Sequence, residues 1–139
     1  MTYAILYISI LLPLCAADAV WLSSTGGPLY KATLGDIMLD SPKIAPVVVF
    51  YLIYPIGLLI FAGLPAMKAG SVMPAVVYGA LLGFFAYAAY DLTNFATLRN
   101  WTLQLTVIDI AWGTLLSGFA SAVGYYAATA INDWLGRSI

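Results

Sequence analysis

Asp18, Asp91 and Asp109 each lie inside a long apolar run of a chain with few other charges. An ionised carboxylate in hydrocarbon costs several kcal/mol unless it is protonated, paired or bound to a cation. Intramembrane carboxylates are therefore functional candidates by default. Two that sit close together can divide roles, one holding a proton while the other accepts one. That arrangement suits proton exchange, cation capture or general acid–base work. An all-oxygen set would also accept Mg²⁺ or Ca²⁺, but a titrating pair is the simpler expectation, and no metal or cofactor is assigned.

The missing chemistry narrows the choice. The chain has no histidine, which removes the usual general base and the commonest zinc or haem ligand. Cys15 is the one cysteine, so an internal disulfide is excluded and a small core role is expected. Five Lys and Arg, scattered singly, make no basic patch and argue against nucleic acid as a partner. The chain of 139 residues is 63% hydrophobic and 8% charged, against roughly 25% charged in soluble domains. It cannot cover a water-facing surface, so an integral membrane protein of one domain, embedded in a lipid bilayer, is predicted.

About 20 apolar residues cross the hydrocarbon core, and four segments qualify: about 3–23, 45–67, 72–95 and 102–132. The first lacks a basic n-region and is read as a retained helix rather than a signal peptide. Pro13 and Pro55 fall inside helices, where each removes a backbone donor. Thr25-Gly26-Gly27-Pro28 and Asp40-Ser41-Pro42 read as breakers. Between them, about 28–40, apolar and polar residues alternate as in a short amphipathic helix lying on the interface. The other connections are short, so neighbouring helices run antiparallel. The predicted fold is all-α: an up-down bundle of four transmembrane helices, with an interfacial helix between the first and second. Ala75, Gly79 and Gly83 recur every four residues in the third helix. Gly113, Ser117 and Ser121 do so in the fourth, as do Ala120, Gly124 and Ala128. Such small-residue rows let helices approach closely, within one chain or in a homo-oligomer.

That topology brings all three aspartates to one membrane face. Asp109 lies about seven residues past Thr102, about 10 Å deep at 1.5 Å per residue. Tyr51 and Tyr54 of the second helix and Tyr87, Tyr90, Thr93 and Asn94 of the third reach a similar level, while the opposite end reads as nearly pure Leu, Ile, Val and Ala. Residues three apart share a helix face, which pairs Asp18 with Trp21, Asp91 with Asn94 and Asp109 with Trp112. Trp21 and Trp101 are expected to anchor at the interface, and the deeper Trp112 to wall a pocket. Arg99 can fold back onto a carboxylate. The competing reading makes the aspartates interfacial and structural, with Asp109 gaining from its helix dipole.

Two strings, Tyr87-Ala88-Ala89-Tyr90-Asp91-Leu92-Thr93-Asn94 and Asp109-Ile110-Ala111-Trp112-Gly113, join Asp18-Ala19-Val20-Trp21-Leu22 and Phe50-Tyr51-Leu52-Ile53-Tyr54-Pro55-Ile56-Gly57 in a recognisable set. With them the whole chain resembles domain-of-unknown-function family 2177, small bacterial predicted membrane proteins. The resemblance implies a four-helix, multi-pass protein of the bacterial inner membrane. It supplies no activity and raises a role near lipid modification.

Binding or proton-coupled movement of a small or amphipathic substrate is the leading expectation, carried by Asp109 and Asp91 with Asn94, Tyr90 and Trp112 as ligand contacts. The alternatives are an enzyme or accessory subunit in lipid modification, for which no nucleophile motif is present, and a structural subunit of a larger complex. Lys31, Lys43 and Arg99 fall on the aspartate face, with Lys68, Arg137 and the amino terminus on the other. The positive-inside rule leans towards a cytoplasmic aspartate face.

Overall fold

The computed structural model describes residues 2–136. Arg137 and Met1, which entered the charge comparison between the two faces, lie outside the described residues. The elements are α1 (Thr2–Trp21), a π-helical turn (Leu22–Gly26), α2 (Gly27–Leu34), a 3-10 turn (Gly35–Ile37), α3 (Ile44–Leu58), a second π-helical turn (Leu59–Gly63), α4 (Leu64–Ala69), α5 (Met73–Thr97) and α6 (Leu103–Trp134). Among the described residues there is no strand, and four continuous helical stretches are long and apolar enough to cross a membrane: Thr2–Ile37, Ile44–Ala69, Met73–Thr97 and Leu103–Trp134. The all-α membrane bundle expected from composition is the observed fold.

The first stretch departs from expectation. Gly26-Gly27-Pro28 does not break the helix, so α2, which falls on the segment expected to form a short helix of its own, follows α1 without a gap. The helix runs on to Ile37. Proline removes its own N–H and clashes with the carbonyl four residues back. A π turn relieves both by widening the backbone: Gly27 N–H bonds to Leu22 O, five residues back, and Pro28 enters the first turn of α2. The same device recurs at Pro65, where Leu64 N–H bonds to Leu59 O and α4 begins. Such π turns are common at functional positions.

Helix ends follow local chemistry. Gly70, at φ 60°, caps α4 in the left-handed region, where glycine avoids the Cβ penalty. Thr102 caps α6, its Oγ1 accepting from Leu105 N at 3.1 Å.

The small-residue rows are spent inside the chain. α5 packs along α6, with Gly79 against Ser121 and the Ser117 carbonyl, and Gly83 against Ser117 and the Gly113 carbonyl. Gly124 meets Ile10 of α1. Leu6, Ile10 and Leu14 of α1, Leu58 of α3, and Leu116, Ala120 and Ala128 of α6 complete the core. In lipid this close fit, rather than hydrophobic transfer, holds helices together. The opposite end is not purely aliphatic: Asn132 is buried there, donating to Ala128 O at 2.8 Å.

α5 meets the α3–α4 stretch chiefly at the second π turn and α4. Towards the aspartate end α3 and α5 part, and the space between them is the cleft described next.

Candidate functional site

The three aspartates are all buried, but they divide into two stations. At the first, Asp18 of α1 accepts from Tyr51 Oη of α3 and from Trp112 Nε1 of α6, the latter at 2.9 Å. Trp112 stacks on Trp21, ring centroids 4.6 Å apart and 9° from parallel. A side chain at Gly26 would strike the Trp21 indole, so glycine is required where the π turn passes over that ring. Trp21 is thus a packing partner, not an exposed interfacial anchor, because the continuing helix covers it. Trp112 serves Asp18 rather than walling the cleft. Trp101 is also no anchor: it is 5% exposed, its Nε1 donates to Thr106 Oγ1 at 3.1 Å, and its ring meets Tyr90 edge-on.

At the second station, Asp109 of α6 accepts from Tyr30 Oη of α2. The Asp91 carboxyl of α5 stands within hydrogen-bond reach of Asp109. Asp91 is 0% exposed, and among the described residues no donor reaches either of its oxygens. A bond between two carboxyls forms only when one holds a proton.

Tyr30 is the residue that sequence reasoning placed elsewhere. Twelve residues of straight helix would carry it about 18 Å beyond Asp18. Yet its partner Asp109 lies one turn from Trp112, which holds Asp18. The helix therefore changes direction between Asp18 and Tyr30, where the first π turn lies, as helices do at such turns. α2 meets α6 and delivers the Tyr30 hydroxyl to Asp109. Pro65, inside a run read as unbroken, was the available hint that Pro28 need not end a helix.

A cleft of about 330 Å³ opens beside this station, lined by Tyr30, Phe50, Tyr54, Ala86, Tyr87, Tyr90 and Asp109. Tyr54 is fixed by Ser117 Oγ at 2.7 Å. Tyr87 lies over Gly113, where a Cβ would meet its ring. Phe50 of α3 and Tyr90 of α5 are exposed, so the gap between α3 and α5 opens on the outer surface of the bundle. Among the described residues, no Lys or Arg lines the cleft. Lys31, Lys43 and Arg99 are all exposed. The expected fold-back of Arg99 is not made: it sits in the turn after α5, and the donors on Asp18 and Asp109 are Tyr and Trp.

Of the residues expected together, Asp109, Tyr54 and Tyr90 meet at the cleft, with Asp91 behind. Asp18, Tyr51, Trp112 and Trp21 form the other station. Asn94 is half-buried, one turn beyond Asp91 and near Tyr90, but outside the lining. Phe50 was read only as part of a motif, and Ser117 only as packing. Among the described residues, no group of three or more His, Cys, Asp or Glu is placed to hold a metal ion.

No curated protein and no solved structure matches the chain significantly. A family model described as a predicted membrane protein, DUF2177, matches residues 3–126, and the chain belongs to that family.

Proposed function

We propose that the cleft binds a small amphipathic molecule entering from the bilayer, and that the Asp91–Asp109 pair exchanges a proton as it binds or moves. The observation that carries this reading is Asp91: fully buried, without a donor among the described residues, beside a second carboxyl that opens on the cleft. Such a pair is tolerable in hydrocarbon with a shared proton, and a proton held between two carboxyls can leave when another positive charge or donor replaces it. The titratable groups around it are Tyr30 of α2, Tyr54 of α3, Tyr87 and Tyr90 of α5, and Asp18 of α1. Among the described residues, no basic side chain lines the cleft to hold the pair ionised.

The setting is the bacterial inner membrane, with the aspartate face on the cytoplasmic side, where Lys31, Lys43 and Arg99 fall. The small-residue rows are used within the chain, so a homo-oligomer would form through other faces.

The test is proton flux into liposomes that hold the full chain and a pH-sensitive dye. Octyltrimethylammonium, octanesulfonate and octanol are offered in turn. At least one should evoke flux above protein-free liposomes, and Asp109→Asn should abolish it. Flux in that variant equal to the unmodified chain, or no response to any of the three, would overturn the reading.

A further inference from the structure

We infer that the ligand is a lipophilic organic cation, its charged head held by Asp109 among the aromatic rings and its apolar part passing between α3 and α5 into the lipid. The inference rests on the binding reading above and assigns it a chemical class.

Three observations converge on a cation. The lining contains five aromatic side chains, Tyr30, Phe50, Tyr54, Tyr87 and Tyr90, and one charged group, Asp109. Aromatic faces attract ammonium-type cations, and a dry site strengthens that attraction. Behind Asp109, Asp91 is 0% exposed and lacks any donor among the described residues, so the pair holds acceptor capacity that the fold leaves unused. An anionic head would need Lys, Arg or backbone N–H groups, and among the described residues no basic side chain lines the space. A neutral donor can bond to a carboxyl but leaves the pair's negative charge uncompensated in a dry site.

The lateral opening selects for lipophilicity. Phe50 and Tyr90, on opposite walls, are 41% and 56% exposed. A ligand reaching Asp109 past them leaves its apolar part against rings and lipid. Charge then balances simply. A pair sharing one proton carries one negative charge. When the cation arrives the proton leaves to water, and two carboxylates face one cation, with Tyr30 Oη donating to one of them.

The experiment compares ions of matched shape and opposite charge. The full chain in dodecylmaltoside micelles is dialysed to equilibrium against tetraphenylphosphonium or tetraphenylborate, with empty micelles subtracted. Octyltrimethylammonium, measured by its competition with tetraphenylphosphonium and by calorimetry, covers the case of a site too narrow for four phenyl rings. Saturable binding of a cation, absent for tetraphenylborate and releasing about one proton per site in weak buffer, is expected. Asp109→Asn should weaken it by at least about 10-fold, and Phe50→Leu or Tyr90→Leu by about 3- to 10-fold. Asp133→Asn, exposed at the far end, should leave it unchanged. Equal binding of the two tetraphenyl ions, or no saturable binding of either cation, overturns the assignment. If octanesulfonate or octanol still drives Asp109-dependent flux, the cleft reading survives and the cation class alone is lost. If no amphiphile acts in either experiment, both fall.

Discussion

Asp18 and Asp91 are both carboxylates buried at the same end of the bundle, yet their surroundings are opposites. Asp18 has drawn one donor from each of two other helices, the hydroxyl of Tyr51 and the indole N–H of Trp112. Asp91 is buried more completely and has none among the described residues. Its polar neighbour is another carboxyl, Asp109, whose hydrogen-bond donor, Tyr30, comes from α2. Satisfied buried groups tie elements together, whereas an unsatisfied one weakens the fold that holds it. The first station is therefore a structural node linking α1, α3 and α6. The second retains an unfavourable group, which is what a site kept for a ligand or proton looks like.

The sharpest way to break this contrast is to remove each carboxylate and measure stability in micelles. Asp18→Ala strands a hydroxyl and an N–H on two partly buried side chains, and a loss of about 3 kcal/mol is expected from the penalties of unmade bonds. Asp91→Asn should do the reverse. Its amide can donate to Asp109, so stability should hold or rise by about 1 kcal/mol, while cation binding and its proton release are lost. Unfolding midpoints in a denaturant series settle both. Equal destabilisation by the two substitutions would erase the distinction between stations.

Much of this was legible in the residues. Hydropathy fixes helix number because backbone groups in lipid must be satisfied within the helix, and the ends of α3–α4, α5 and α6 fall within two residues of the expected bounds. The four-residue spacing of Gly79 and Gly83 marks the α5–α6 contact for a similar reason: no other residues let the backbones that near. Tyr30 was illegible because Gly-Gly-Pro stops an ordinary α-helix, and nothing local says that a π turn will absorb the proline. The split of the aspartates was illegible too. Depth along a helix can be counted from sequence, but which neighbour an indole N–H turns toward depends on rotation about the helix axis, which packing decides.

The next contrast is between the two tyrosines. Tyr51→Phe and Tyr30→Phe each delete one hydroxyl to a buried carboxylate, and each should cost about 1 kcal/mol. Their consequences diverge, because α3 is anchored by its length in the bundle while α2 has no fully buried residue. Tyr30→Phe should loosen α2 and speed trypsin cleavage at the exposed Lys31 several-fold. Tyr51→Phe should leave that rate unchanged. Identical cleavage in the two variants would mean that the hydroxyl of Tyr30 does not hold α2 down.

The smallest effect is the most discriminating, because the stacked indoles of Trp21 and Trp112 form a nearly self-controlled pair. Their rings lie against each other at 4.6 Å, and both are partly buried. They differ in one respect: Trp112 Nε1 donates to Asp18, while Trp21 Nε1 is buried with no partner among the described residues. Replacing either by phenylalanine removes similar ring area from the same stack. In Trp112→Phe the lost area is joined by a lost charge-assisted bond, and a cost of about 2 kcal/mol is expected. In Trp21→Phe the lost area is offset by the disappearance of an unsatisfied donor, which leaves a net change within about 0.5 kcal/mol. Subtracting the two unfolding free energies cancels most of the stacking and isolates what Asp18 contributes through one N–H. A difference near zero would mean that Asp18 does not hold the indole, and the node at the first station would lose one of its two ties.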